Sequence, residues 1–119
     1  KLLEDLKEDF VLTVATNANS EFAHKMLNHL EIGKYFKTVV GYNDVVKPKP
    51  HPEMVYKILN EIKTTKEKSL LVGDSHKDIQ AATNAGVDSV LVNWGFSNHD
   101  ENAIEDVKEL EKRIALKFS

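Results

Sequence analysis

Val72-Gly73-Asp74-Ser75-His76-Lys77-Asp78 sets the frame for the rest of the chain. A mostly apolar run over residues 69–72 ends at Val72, Gly73 lets the backbone turn tightly, and a small-residue helical pattern over residues 77–85 stops at Gly86. The heptapeptide is therefore a strand-to-helix junction. It carries two carboxylates four residues apart, Asp74 at the end of the strand and Asp78 one turn into the helix, near one point. Oxygen-only ligands of this kind suit Mg²⁺, which takes a few carboxylates together with waters and substrate phosphate. Asp and Ser are also ordinary helix starters, so by itself the junction is equally a helix cap.

The alternation extends in both directions. Residues 11–15, 38–40 and 89–93 are further short runs, nearly continuously apolar, which predicts strands buried on both faces. Helical periods lie between them. Leu2, Leu3, Leu6 and Phe10 form a stripe before the first strand, and Phe22, Met26, Leu27 and Leu30 form one after it, with Ser20 as N-cap and Gly33 as the stop. Val55, Ile58, Leu59 and Ile62 follow i, i+3, i+4, i+7, and Pro52 falls in the first turn, where a missing N–H is tolerated. Ala81, Ala82 and Ala85 predict close approach of the fourth helix to a sheet, and Ile104, Val107, Leu110 and Ile114 mark a last helix over residues 104–116. One helix followed by four strand–helix units predicts an α/β fold of Rossmann-like type: a mostly parallel sheet, right-handed crossovers and helices on both faces. Ligands of such sheets bind beyond the carboxyl ends of the strands.

Composition agrees with that class. The chain has 119 residues, 41% hydrophobic and 29% charged, which fits one globular domain over residues 1–119 with its own core. The absence of cysteine excludes a disulfide framework, a thiolate metal site and a cysteine nucleophile. A net charge of -3 gives no reason to expect nucleic acid or an anionic membrane as partner. Apolar runs fall far short of a membrane span and no leader pattern opens the chain, so a cytoplasmic location is expected. The first residue is Lys1 rather than Met, and a processed product or a piece of something longer is expected.

Two further loops sit where ligands bind. Thr16 and Asn17 follow the first strand and precede a helix, so backbone N–H groups and the Thr16 hydroxyl can form an anion cradle, although ordinary turn chemistry uses the same residues. All three prolines lie in Lys47-Pro48-Lys49-Pro50-His51-Pro52, a stiff, extended approach to a helix that can hold Lys47 or Lys49 against a phosphate.

Taken in order, a threonine after one strand, a lysine in K-P-x-P before a helix, and G-D-x-x-x-D after the next strand resemble motifs II, III and IV of the haloacid dehalogenase superfamily. The resemblance is closest to its phosphoglycolate phosphatase-like branch, whose K-P-x-P-E and V-G-D-S-x-x-D-I patterns stand here at residues 49–53 and 72–79. It implies a phosphatase that hydrolyses a small phosphate monoester, phosphoglycolate- or sugar phosphate-like, through an aspartyl-phosphate with Mg²⁺ as cofactor. It further implies that Thr16, Asn17 and Lys49 bind the phosphoryl group, that Lys49 and Asp78 are catalytic, and that Asp74 and Asp78 serve the metal. Asp74 would do so as a direct or water-mediated ligand, and Asp78 by orienting Lys49 or the water shell of the metal. In that register Lys49 takes the role and Lys47 does not.

The family's D-x-D-x-[TV] motif, which supplies the nucleophile, has no counterpart here: Asp5 and Asp9 precede the first strand on a helical pattern, and Asp44 lies in a loop. The cap domain is absent too. The chain thus resembles the carboxyl-terminal half of such an enzyme, inactive alone. The family's central strand would separate the strands around Thr16 and Asp74, so either those two pair directly or another segment fills the gap, from the N-terminal half or another copy. A non-catalytic phosphate-binding or scaffold module using the same loops is the alternative. A receiver domain would need these residues in the reverse order, and none of the five glycines forms the G-x-G of a dinucleotide binder. His24 and His29 are five apart, off the spacing for a shared metal; His51 and His76 read as spacers in their loops, and Trp94 as a pocket-rim or lid residue.

Overall fold

A computed structural model describes residues 2–92 and 107–118. Helix α1 (Leu2–Asp9) leads into β1 (Leu12–Ala15), α2 (Ser20–His29), β2 (Phe36–Val40), α3 (Glu53–Glu61), β3 (Leu70–Gly73), α4 (His76–Ala85), β4 (Asp88–Leu91) and α5 (Val107–Phe118), with short 3₁₀ turns between. The expected alternation is present and each element lies within a few residues of its predicted place. Trp94, His99, Ile104 and the end of the 89–93 run fall outside the described residues.

The strands pair in parallel, but as two separate pairs: β1 with β2, in register Thr13↔Thr38, and β3 with β4, in register Leu71↔Ser89. Of the two possibilities left by the sequence, direct pairing of β1 with β3 does not occur. Each leaves its inner edge to a cleft of about 980 Å³ whose walls include Leu12, Thr13, Leu71 and Val72. The expectation of fully buried strands is corrected accordingly. All of β1 is only half-buried, and Val11 and Val72 are 57% and 43% exposed, because the sheet that would bury them is split.

Side-chain alternation along β3 assigns the layers. Leu71 packs with Val55, Ala81, Ala82 and Val87 on one face, while Leu70 packs with Val90, Val92, Leu110 and Ile114, and with Leu2, Leu6 and Phe10 of the first helical segment, on the other. Helices α3 and α4 thus cover one face and α1 and α5 the opposite one. Ala81 and Ala82 are fully buried, as their size predicts for a helix drawn close to a sheet. Helix α3 joins the two strand pairs: Val55 and Leu59 belong to the cluster on α4 and β3, whereas Met54 and Ile58 pack with Ile62, Ala15 and Val40 against β1 and β2. Each such side chain contributes about 1.5–3 kcal/mol on burial, so this single helix holds both halves.

Helix ends depart from expectation in α2. Asn19, not Ser20, is the N-cap, accepting from the Glu21 N–H at 2.8 Å, and Ser20 instead meets Asn43, which accepts from its N–H at 2.8 Å. The helix stops at Leu30 with Glu31 in the left-handed region, and Gly33 opens the next 3₁₀ turn. Nor is the predicted α2 stripe buried: Ala23 and Leu27 face inward, while Phe22, Met26 and Leu30 are exposed. Gly86 does cap α4 as expected, at φ 77°.

Candidate active site

The carboxyl ends of β1 and β3 come together at one mouth of the cleft. Thr16, one residue past β1, donates its N–H to the Val40 carbonyl at 2.9 Å, which continues the β1–β2 ladder and fixes the residue. Its Oγ1 accepts from the Ala18 N–H at 3.1 Å, leaving the hydroxyl proton free to donate outward. Asn17 follows and is exposed.

Lys49 arrives from the proline-rich segment. Its Nζ donates to the Ala15 carbonyl at 2.9 Å and forms a short ion pair with Asp78 Oδ1, with both side chains 11% exposed. One ammonium therefore ties the end of β1 to the start of α4, across two strands that do not pair. Lys47 lies outside this arrangement: the residue is exposed, and its N–H, like that of Val46, is held by the Glu53 carboxylate. Those two N–H donors hold the Glu53 carboxyl below its ordinary value.

Asp78 is the one buried charged residue among those described. Oδ1 takes Lys49, and Oδ2 accepts from the Asp74 N–H and the Ser75 hydroxyl, each at 3.2 Å. Both of its oxygens are thus engaged within the chain, one of them by the Lys49 ammonium. Asp74 differs: it is half-buried, lines the cleft, and its carboxylate has no hydrogen-bond or ion-pair partner among the described residues. Among the described residues no cluster of three or more His, Asp or Glu side chains forms a complete metal site. At this mouth the Asp74 carboxylate is thus the one left without a partner among the described residues, and it fits Mg²⁺ with most of its ligands supplied from elsewhere.

Gly73 is needed here for space. A Cβ would lie 2.3 Å from Asp78 Cβ and 2.7 Å from its Oδ2, whereas the φ of Gly73 is outside the left-handed region. Its role in a tight turn, expected from the sequence, gives way to close approach of the Asp78 side chain. Sequence reading also missed three groups that build the site: the Ala15 carbonyl, the Ser75 hydroxyl as a partner of Asp78, and the Asn17 side chain. A carbonyl leaves no trace in residue type, and Ser75 was visible as the cap it also is, accepting from the Asp78 N–H at 3.4 Å.

The structure thus brings Thr16, Lys49, Asp74 and Asp78 to one cleft and places Asn17 beside Lys49. Residues 1–92 match the family model described as haloacid dehalogenase-like hydrolase. A PpaX protein of Caldanaerobacter subterraneus is 43% identical over 96% of this chain and 56% of its own length. Phosphoglycolate phosphatase of Salmonella paratyphi A is 39% identical over 80% of this chain and 38% of its length. The crystal structure of a predicted phosphoglycolate phosphatase from Haemophilus somnus superposes with a TM-score of 0.86 at 27% identity, covering 94% of this chain and 53% of that one. The chain spans about half the length, or less, of these relatives. With the ordered threonine, lysine and aspartate loops at one strand edge and the match over residues 1–92, the chain belongs to the haloacid dehalogenase-like hydrolase family.

Proposed function

We propose that residues 1–119 are the carboxyl-terminal portion of a single haloacid dehalogenase-like core, and that the complete protein is a cytoplasmic Mg²⁺-dependent phosphatase of small phosphate monoesters. The observation that carries this reading is the Lys49 ammonium, pinned between the Ala15 carbonyl and Asp78 at the mouth of the cleft that Thr16 and Asp74 also line. Relatives named phosphoglycolate phosphatase and pyrophosphatase support it.

Transfer of a phosphoryl group spreads negative charge over its equatorial oxygens, and catalysis is mostly positioning and electrostatic stabilisation. Lys49 supplies a fixed cation that needs no reorganisation. The Thr16 hydroxyl and the Asn17 main-chain N–H supply donors beside it. Asp78 holds the lysine in place. Asp74 would hold Mg²⁺ together with phosphate oxygens and waters, and the ion would neutralise charge on the transferring group. The attacking aspartate lies outside this chain, on a strand of the upstream half, or of another copy, that enters between β1 and β3. The substrate is a phosphoglycolate- or sugar phosphate-like ester, with no role for nucleic acid or membrane.

The test is phosphate release by the full-length protein from phosphoglycolate, a sugar phosphate and pyrophosphate, with Mg²⁺ and with EDTA. Mg²⁺-dependent turnover on a monoester supports the reading. No turnover, with retained phosphate binding at Thr16 and Lys49, would favour a non-catalytic phosphate-binding module.

A further inference from the structure

We propose that Asn17, through its side-chain amide, is the positioning residue for the Lys49 ammonium. The inference rests on the phosphatase reading above and assigns this amide a task that the Asn17 main-chain N–H does not perform. Asn17 Nδ2 donates to the Lys49 carbonyl at 3.0 Å, and the Lys49 N–H donates to Asn17 Oδ1 at 3.0 Å. The two bonds form a peptide-like clasp between residues 32 positions apart. Only one orientation of the amide satisfies both, because rotating it would set donor against donor and acceptor against acceptor.

The prolines make the clasp decisive. Pro48 and Pro50 have no N–H, so the Lys49 N–H is the one main-chain donor that residues 48–50 possess, and Asn17 takes it. The ammonium at the far end of the same residue bonds the Ala15 carbonyl. Lys49 is thus fastened at both ends to the same stretch of chain, residues 15 and 17, at the end of β1. A flexible four-carbon stem fixed at both ends has little freedom left. The anchor is itself rigid, since the Tyr42 N–H donates to the Ala18 carbonyl at 3.0 Å and the Ser20 N–H to Asn43 Oδ1 at 2.8 Å. The β1–β2 ladder places Thr16, and the Asn17 clasp with the Nζ bond to Ala15 places Lys49 relative to it.

The experiment uses the full-length protein with Asn17→Ala and Lys49→Ala variants. Alanine keeps the main-chain N–H at position 17, so a donor to phosphate survives and only the clasp is removed. Asn17→Ala should lower kcat by about 10²-fold, the scale of a 1 Å misplacement, with KM nearly unchanged. In the same protein, acylation of Lys49 by an amine-reactive reagent, read by peptide mass spectrometry against the exposed Lys47, should rise while the thermal midpoint holds. Unchanged kcat, or unchanged Lys49 labelling, would overturn the proposal. Failure of the underlying reading looks different: Lys49→Ala would leave phosphate release intact, or the parent protein would release none. Labelling then still decides whether Asn17 holds Lys49.

Discussion

Strands β1 and β3 are joined at their carboxyl ends and separate along their lengths. At the ends, Lys49 bridges the Ala15 carbonyl and Asp78, and every oxygen of Asp78 has a partner. Along the lengths there is a cleft, with no hydrogen bond between the two pairs and with Val72 exposed on its wall. The contrast teaches that within residues 1–119 the site holds its geometry without a continuous sheet. The Lys49–Asp78 ion pair, the Ser75 hydroxyl, side-chain bonds to main-chain groups and the Thr16 N–H on the β1–β2 ladder fix it, and α3 holds the two halves close enough for the bridge to form.

The comparison is broken most severely by removing the bridge. Lys49→Ala in the full-length protein should lower turnover by about 10²–10³-fold, as loss of one preorganised donor does, while Lys47→Ala should leave it unchanged, both read from initial rates. Lys49→Ala should also destabilise the fold by about 3 kcal/mol in urea, because Asp78 stays buried without its countercharge. Gly73→Ala should cost about 1–3 kcal/mol and reduce activity in step, since its Cβ would occupy the space of the Asp78 side chain. A stable, fully active Gly73→Ala variant would show that Asp78 has other room.

Smaller effects sharpen the contrast. If a strand from elsewhere fills the cleft, amides of β1 and β3 should exchange with solvent more slowly in the full-length protein than in residues 1–119, while those of β2 and β4 change less. Asp74→Asn should raise the Mg²⁺ concentration needed for half-maximal activity and shift stability by no more than about 0.5 kcal/mol, as the Asp74 carboxylate has no hydrogen-bond or ion-pair partner to lose among the described residues. The smallest effect concerns pH. The Val46 and Lys47 N–H groups lower the Glu53 carboxyl below its ordinary 4.5, so their stabilisation is complete above pH 4.5 and disappears as pH falls through the lower folded value. Thermal midpoints on either side of pH 4.5 should fall less on acidification for Glu53→Gln than for the parent chain.

The sequence itself determined the alternation of elements, because period and punctuation are local: the Val55, Ile58 and Ile62 stripe, the alanines of α4 and the Gly86 cap all stand where patterning puts them. It also determined which loops carry Thr16, Lys49 and Asp74 and which helix start carries Asp78, since residue type and order along the chain suffice for that. Only the tertiary structure decided that the sheet is split, that Phe22, Met26 and Leu30 of α2 face outward, and that Gly73 serves space rather than turning. It alone decided that Asp78 spends both oxygens within the chain and that Asn17 clasps Lys49. These outcomes depend on which groups distant in sequence meet in space, and an apolar pattern marks the face a segment would bury without saying whether anything arrives to cover it.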